Sequence, residues 1–114
     1  GVQTCALPIS NASIAQRAET EQSIASLHKE SYLKTLDSAT QYSKQLRLEE
    51  INVPTLLIFS EFDRLCPADY GRTMAARIPH AVFEYIEDAG HLINIEQPET
   101  FSQILMGFLH SVDN

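Results

Sequence analysis

Basic residues are scarce in this 114-residue sequence: eight Lys and Arg stand against fifteen Asp and Glu, for a formal net charge of −7 and a pI near 4.9. With no basic stripe to neutralise phosphate, neither nucleic acid nor an anionic membrane is an expected partner. Cysteine is scarcer still. Cys5 and Cys66 lie too far apart for a disulfide framework or a metal site of ordinary spacing, and a reducing cytoplasm is the expected compartment. The only glycines are Gly1, Gly71, Gly90 and Gly107, so there is no glycine-rich phosphate loop and no cofactor is expected. No apolar run approaches the roughly 18 residues that span a bilayer, and the first residues lack the basic-then-apolar pattern of a signal peptide. What is present is ordinary globular composition, 44% apolar and 20% charged, enough for one small domain with a modest core.

The opening stretch Val2-Gln3-Thr4-Cys5-Ala6-Leu7-Pro8-Ile9 resembles the in-frame translation of a sequencing-library adaptor. Residues 1–9 are therefore set outside the fold as artefact or disordered chain, and the reading frame is expected to be cut there. Residues 10–46 form a helical segment, rich in Ala, Gln, Glu, Lys and Leu, that is either a lid or part of the main layer. Ser13 and Gln16 have the spacing of a capping box. Ile14, Ala18, Ile24, Leu27, Tyr32, Leu33 and Leu36 recur at helical intervals. Two helices are predicted, split near residues 29–31, with His28 on a partly buried face.

Residues 47–114 read as a βαβα unit. Val53-Pro54-Thr55-Leu56-Leu57-Ile58-Phe59 is an unbroken apolar run, as expected of a parallel strand covered by helices on both faces, with Pro54 tolerated at its start. Cys66-Pro67 opens a helix with Pro67 in its first turn and Tyr70, Met74, Ala75 and Ile78 on the buried face. The second strand, residues 81–86, alternates: Val82, Glu84 and Ile86 face one way, Phe83 and Tyr85 the other. The charge at Glu84 suits an outer strand. From Pro98, an amphipathic helix carries Phe101, Ile104, Leu105, Phe108, Leu109 and Val112 as an apolar stripe.

Each strand hands an ionisable side chain to the carboxyl end of the sheet, where chemistry gathers in open α/β sheets. The first delivers Asp63 and the second His91. Taken alone, Asp63 is a turn or cap residue; Glu61 and Asp88 are rival acids. Glu96 is expected to serve the following helix, His80 and His110 to be solvated, and Cys66 to be a small buried residue without nucleophilic role.

The run Ile51-Asn52-Val53-Pro54-Thr55-Leu56-Leu57-Ile58-Phe59-Ser60-Glu61-Phe62-Asp63, followed by Asp88-Ala89-Gly90-His91-Leu92-Ile93-Asn94-Ile95-Glu96-Gln97-Pro98-Glu99-Thr100-Phe101, resembles the C-terminal part of an α/β-hydrolase-fold enzyme. Residues 91–101 are locally similar to hydrolases of the 3-oxoadipate enol-lactonase type. The likeness covers about residues 31–112. It implies that Asp63 is the acid and His91 the general base of a hydrolytic triad acting on a small ester, lactone or amide, with Leu65, Leu92 and Ile93 walling the pocket. Gly90 would permit close backbone approach or positive φ. Two departures stand out. Ser60 occupies a place where the family usually has glycine, and no Gly-x-Ser-x-Gly elbow is present, so the nucleophile is expected upstream of residue 10. The alternatives are a non-catalytic binding or receptor protein on the same fold, which the residue at the elbow would reveal, and a free-standing two-stranded module.

Overall fold

The computed structural model describes residues 13–41 and 47–113; the adaptor-like residues 1–9 and the end of the helical segment at 42–46 lie outside the described residues. Helix α1 spans Ile14–Ala25 and α2 spans Lys29–Gln41. A 3₁₀ turn at Leu48–Glu50 leads to strand β1 (Thr55–Ser60), then α3 (Ala68–Arg77), β2 (Ala81–Ile86), the one-turn α4 (Ile93–Glu96) and α5 (Pro98–Val112).

The predicted capping box is present at Ser13: its hydroxyl accepts from the Gln16 N–H, and the Gln16 side-chain Oε1 accepts from the Ser13 N–H. The split between helices falls earlier than expected, at residues 26–28. His28 is exposed rather than half-buried, and its Nδ1 accepts from the Ser31 N–H at 3.4 Å while meeting the Ser31 hydroxyl at 3.1 Å, so it caps α2 instead of packing. Most of the expected apolar stripe is also uncovered: Ile14, Leu27, Tyr32, Leu33 and Leu36 are all exposed. Helix α1 is tied to the rest through the Gln16 side-chain amide, which donates to the Ile95 carbonyl at 2.5 Å.

Strands β1 and β2 pair in parallel from Thr55 opposite Ala81 to Ser60 opposite Ile86. The strand begins at Thr55, two residues later than the apolar run suggests, because Pro54 has no N–H to give a ladder. Instead the Thr55 hydroxyl donates to the Val53 carbonyl. The connection through α3 makes the expected βαβ unit, and the alternation of β2 holds. On one face, Phe59 and Phe83 stack with centroids 5.9 Å apart beneath α3, and the Arg72 guanidinium lies 4.8 Å over the Phe83 ring. On the other, Ile86, Ala89 and Ile93 form the buried cluster, with Ile58 and the α5 residues Phe101 and Ile104 packed against it.

Two details of the helices differ from expectation. Pro67 sits just outside α3, as its cap residue. Tyr70 is exposed, and the residue that α3 presses onto the sheet is Gly71, where an added Cβ would lie 2.4 Å from Phe59 Cδ2. Only a residue without a side chain lets α3 sit this close to the two rings.

Candidate active site

Strand β1 ends in Ser60, and its backbone continues the sheet pattern for two more residues: the Glu61 N–H donates to the Ile86 carbonyl and the Phe62 N–H to the Ala89 carbonyl, at 3.0 and 2.9 Å. The acid-bearing turn and the histidine-bearing loop are thereby laced together before any side chain is considered. Asp63 follows, its side chain only 5% exposed. One carboxylate oxygen, Oδ1, accepts from the N–H groups of Leu65 and Cys66, each at 2.9 Å. The other, Oδ2, faces His91 Nδ1 at 2.8 Å.

The two oxygens of Asp63 thus have different partners, one the backbone of the turn and the other the imidazole. Oδ1 shapes the turn into α3, and that fixes the rotamer that presents Oδ2 to the imidazole. Burial alone would push the Asp63 carboxyl up; the Cys66 N–H, the His91 ring and the Leu65 N–H outweigh it and hold the group below its ordinary value. The carboxylate is thus ionised and acceptor-only at neutral pH. In a neutral imidazole, an acceptor at this position takes the Nδ1 proton in a hydrogen bond and leaves the Nε2 lone pair free. The His91 side chain is about one-third exposed, so Nε2 is accessible from outside the turn.

The loop that carries His91 has its own scaffold. Asp88 takes the left-handed conformation, φ 53°, and its N–H donates to Glu61 Oε2 at 3.1 Å. The positive φ anticipated at Gly90 therefore falls two residues earlier, and Gly90 itself is buried with ordinary φ. Asp88 and Glu61 hold the loop together rather than serving as the acid. Both peptide groups of Gly90 are captured: its N–H donates to Glu96 Oε2 at 2.7 Å, and its carbonyl accepts from the Ser60 hydroxyl at 2.6 Å.

Of the residues expected to wall the pocket, Leu65 stands 63% exposed beside Asp63, and Leu92 is half-buried at the head of α4. Ile93 turns the other way, into the core cluster with Ile86 and Ala89. Cys66 is exposed, not buried as expected, because the Asp63 turn brings its backbone inward and its side chain outward. Donor atoms of Asp63, Cys66 and His91 lie within 4.8 Å of one another and suit a soft divalent cation by type. A cation there would have to displace the Asp63–His91 hydrogen bond. His80 and His110 are exposed on the surface, as expected.

Sequence reasoning missed Ser60 and underrated Glu96. Ser60 shows in the sequence only as a departure from glycine; the position of Glu96 before Pro98 suggests service to the following helix, whereas a single turn of helix between Ile93 and Glu96 brings its carboxylate back to Gly90.

Comparison with known proteins identifies the fold family. Residues 2–98 match the family described as alpha/beta hydrolase fold, a longer match toward the N-terminus than the motifs alone indicate. The chain is 36% identical over 102 residues to 3-oxoadipate enol-lactonase 1 of Acinetobacter baylyi, covering 90% of this chain and 37% of the lactonase. It is likewise 36% identical to a 2-hydroxy-6-oxononadienedioate/2-hydroxy-6-oxononatrienedioate hydrolase of Paraburkholderia phymatum, covering 72% of this chain and 29% of that enzyme. Among solved structures, MenH from S. aureus superposes with a TM-score of 0.57 at 35% identity over 60% of this chain and 25% of that one. Est816, described as an N-acyl homoserine lactone degrading enzyme, gives 0.52 at 35% identity over 54% of this chain and 24% of that one. The chain spans between about a quarter and about a third of the length of these curated relatives. On the family match and these likenesses, it belongs to the alpha/beta hydrolase fold family.

Proposed function

We propose that this chain supplies the acid and base of a serine hydrolase that cleaves a small ester, lactone or amide through an acyl-enzyme. The observation that carries the reading is the 2.8 Å contact between His91 Nδ1 and an Asp63 oxygen whose partner oxygen is already pinned by two backbone N–H groups. In the reaction, His91 Nε2 takes the proton of a serine hydroxyl as that oxygen attacks the substrate carbonyl. The resulting imidazolium, stabilised by Asp63, returns the proton to the leaving oxygen or nitrogen; water then enters by the same route and releases the acid. The serine and the oxyanion-hole donors belong to the part of the hydrolase outside this chain, so the chain on its own is inactive. Leu65 and Leu92 flank the acid and the base and would contact the substrate, with Ile93 bracing Leu92 from the core side. The lactone chemistry in the names of the Acinetobacter relative and Est816 favours a small lactone or ester substrate. The accessible free thiol of Cys66 accords with work in the reducing cytoplasm.

The test is to recover the contiguous gene and assay the full-length hydrolase on a nitrophenyl ester. Turnover should be abolished to near background by His91→Ala and by alanine at the upstream serine. Undiminished turnover in His91→Ala would end the proposal, and a non-nucleophilic residue at the elbow would turn it toward a binding protein.

A further inference from the structure

We infer that Ser60 and Glu96 are positioning residues, a two-sided clamp on the peptide groups of Gly90 that sets where His91 stands; the inference rests on the hydrolase reading above. The Ser60 side chain is the largest fully buried one among the described residues, at 1% exposed, and its hydroxyl is spent on a single contact, the 2.6 Å donation to the Gly90 carbonyl. That contact joins the end of β1, three residues before the acid, to the residue immediately before the base. From the opposite side, Glu96 Oε2 accepts the Gly90 N–H at 2.7 Å, a charge-assisted bond from the end of α4.

Asp88 is also held from both sides, by Glu61 at its N–H and more weakly by the Gln97 amide at its carbonyl, 3.4 Å, but the Gly90 bonds are the shorter and lie next to His91. The His91 ring is one-third exposed and its one side-chain hydrogen bond is to Asp63, whereas Asp63 is fixed by its own turn. With the Cα of residue 90 clamped, the ring can reach Asp63 Oδ2 in one orientation only. Without the clamp, Asp63 keeps its place and the imidazole wanders from it. A misplacement of about 1 Å at such a group costs on the order of 100-fold in rate.

The chemistry of the two contacts differs, and that makes the inference separable from simple stability. Ser60 acts as a donor, so Ser60→Ala removes the bond while filling nearly the same volume. Glu96 acts as an acceptor, so Glu96→Ala removes the bond but Glu96→Gln keeps an acceptor oxygen for the Gly90 N–H. The order of turnover is therefore wild type, then Glu96→Gln, then Glu96→Ala, with Ser60→Ala near the last of these.

The experiment uses the full-length hydrolase with a nitrophenyl ester, alongside the low-field proton resonance of the His91 Nδ1–H bound to Asp63. Ser60→Ala and Glu96→Ala should each lower kcat roughly 10- to 100-fold with KM changed less than about threefold, and should broaden or shift that resonance; Glu96→Gln should restore most of both. Wild-type kcat and an unmoved resonance in Ser60→Ala and Glu96→Ala, in an enzyme that His91→Ala silences, would overturn the clamp while leaving the hydrolase intact. Equal losses in Glu96→Gln and Glu96→Ala would overturn it as well, by showing that charge and not the bond to Gly90 matters. Should Ser60→Ala fail to fold, the Glu96 pair decides alone. An enzyme indifferent to His91→Ala would instead remove the hydrolase reading beneath it.

Discussion

Asp63 divides its two oxygens between architecture and chemistry, and its substitution separates them. Asp63→Asn retains an oxygen for the Leu65 and Cys66 N–H groups but turns an amide N–H toward His91, which then holds its proton on Nε2, where a lone pair is needed. Turnover of the full-length hydrolase should fall by about 10⁴ with KM little changed. The acid-side pH dependence follows from the same contacts. The folded carboxyl titrates below its ordinary value, so its stabilising contribution is complete above about pH 4, the unfolded value, and is lost as pH falls through the lower folded value. Thermal melts of wild type and Asp63→Asn should therefore lie furthest apart near neutrality and converge below pH 4; a gap that stays constant to pH 3 would count against it. At this scale the two central residues were legible because each follows a strand with a clear apolar signature. Ser60, Gly90 and Glu96 were not, since a hydroxyl meeting a carbonyl thirty positions away leaves no trace in local spacing. The outward turn of Cys66 was equally hidden, being a consequence of where Asp63 Oδ1 points.

Elements with a strong periodic signal were read correctly from the sequence: both strands, the crossover helix α3 and the long α5. The single turn α4 was not, because four residues are too few to show a period, and its function depends on tertiary contact. The buried face of α3 shows why pattern alone misleads. Tyr70 has the spacing of a core residue, but the packing distance is set by Gly71 against the stacked Phe59 and Phe83 rings, and a helix this close rotates the tyrosine outward. Gly71→Ala would place a methyl carbon 2.4 Å from Phe59 Cδ2 and 2.7 Å from Phe83 Cε2, inside any tolerable contact, and the two rings stack on each other. Helix α3 must lift from the sheet, which should destabilise the hydrolase by about 1–3 kcal/mol in chemical denaturation, despite alanine's better helix propensity. Because α3 begins just after the Asp63 turn, the lift should also weaken the Asp63–His91 contact. A Gly71→Ala variant as stable and as active as wild type would show that α3 has slack the structure does not suggest.

For the chain as a whole, the decisive quantity is how little of its apolar surface is covered. A globular domain of this length has a radius of gyration of about 13 Å, while this chain measures 16.2 Å. Helices α1 and α2 show Ile14, Leu27, Tyr32, Leu33 and Leu36 to solvent, and Val82 on β2 and Leu109 and Val112 on α5 are exposed too. These two sets mean different things. The α1–α2 stripe has helical periodicity and a real capping box, so the helices are specified locally and await a surface to lie on. The exposed residues of β2 and α5 border a parallel pair, which ordinarily lies inside a larger sheet covered on both faces. Two strands with such edges are marginal by themselves. The chain spans 37% of the enol-lactonase it resembles, and under the proposed function the remainder of such an enzyme would cover these faces. Expressed alone, the chain should bind an apolar dye strongly, associate at micromolar concentration and melt without a sharp transition. The full-length hydrolase should do none of these, and joining the chain to the separately expressed remainder should restore both the cooperative melt and ester turnover. A monomeric, sharply melting preparation of the chain alone would mean that α1 and α2 fold back over these faces in solution, and would make it a self-sufficient module instead of one part of a layered enzyme.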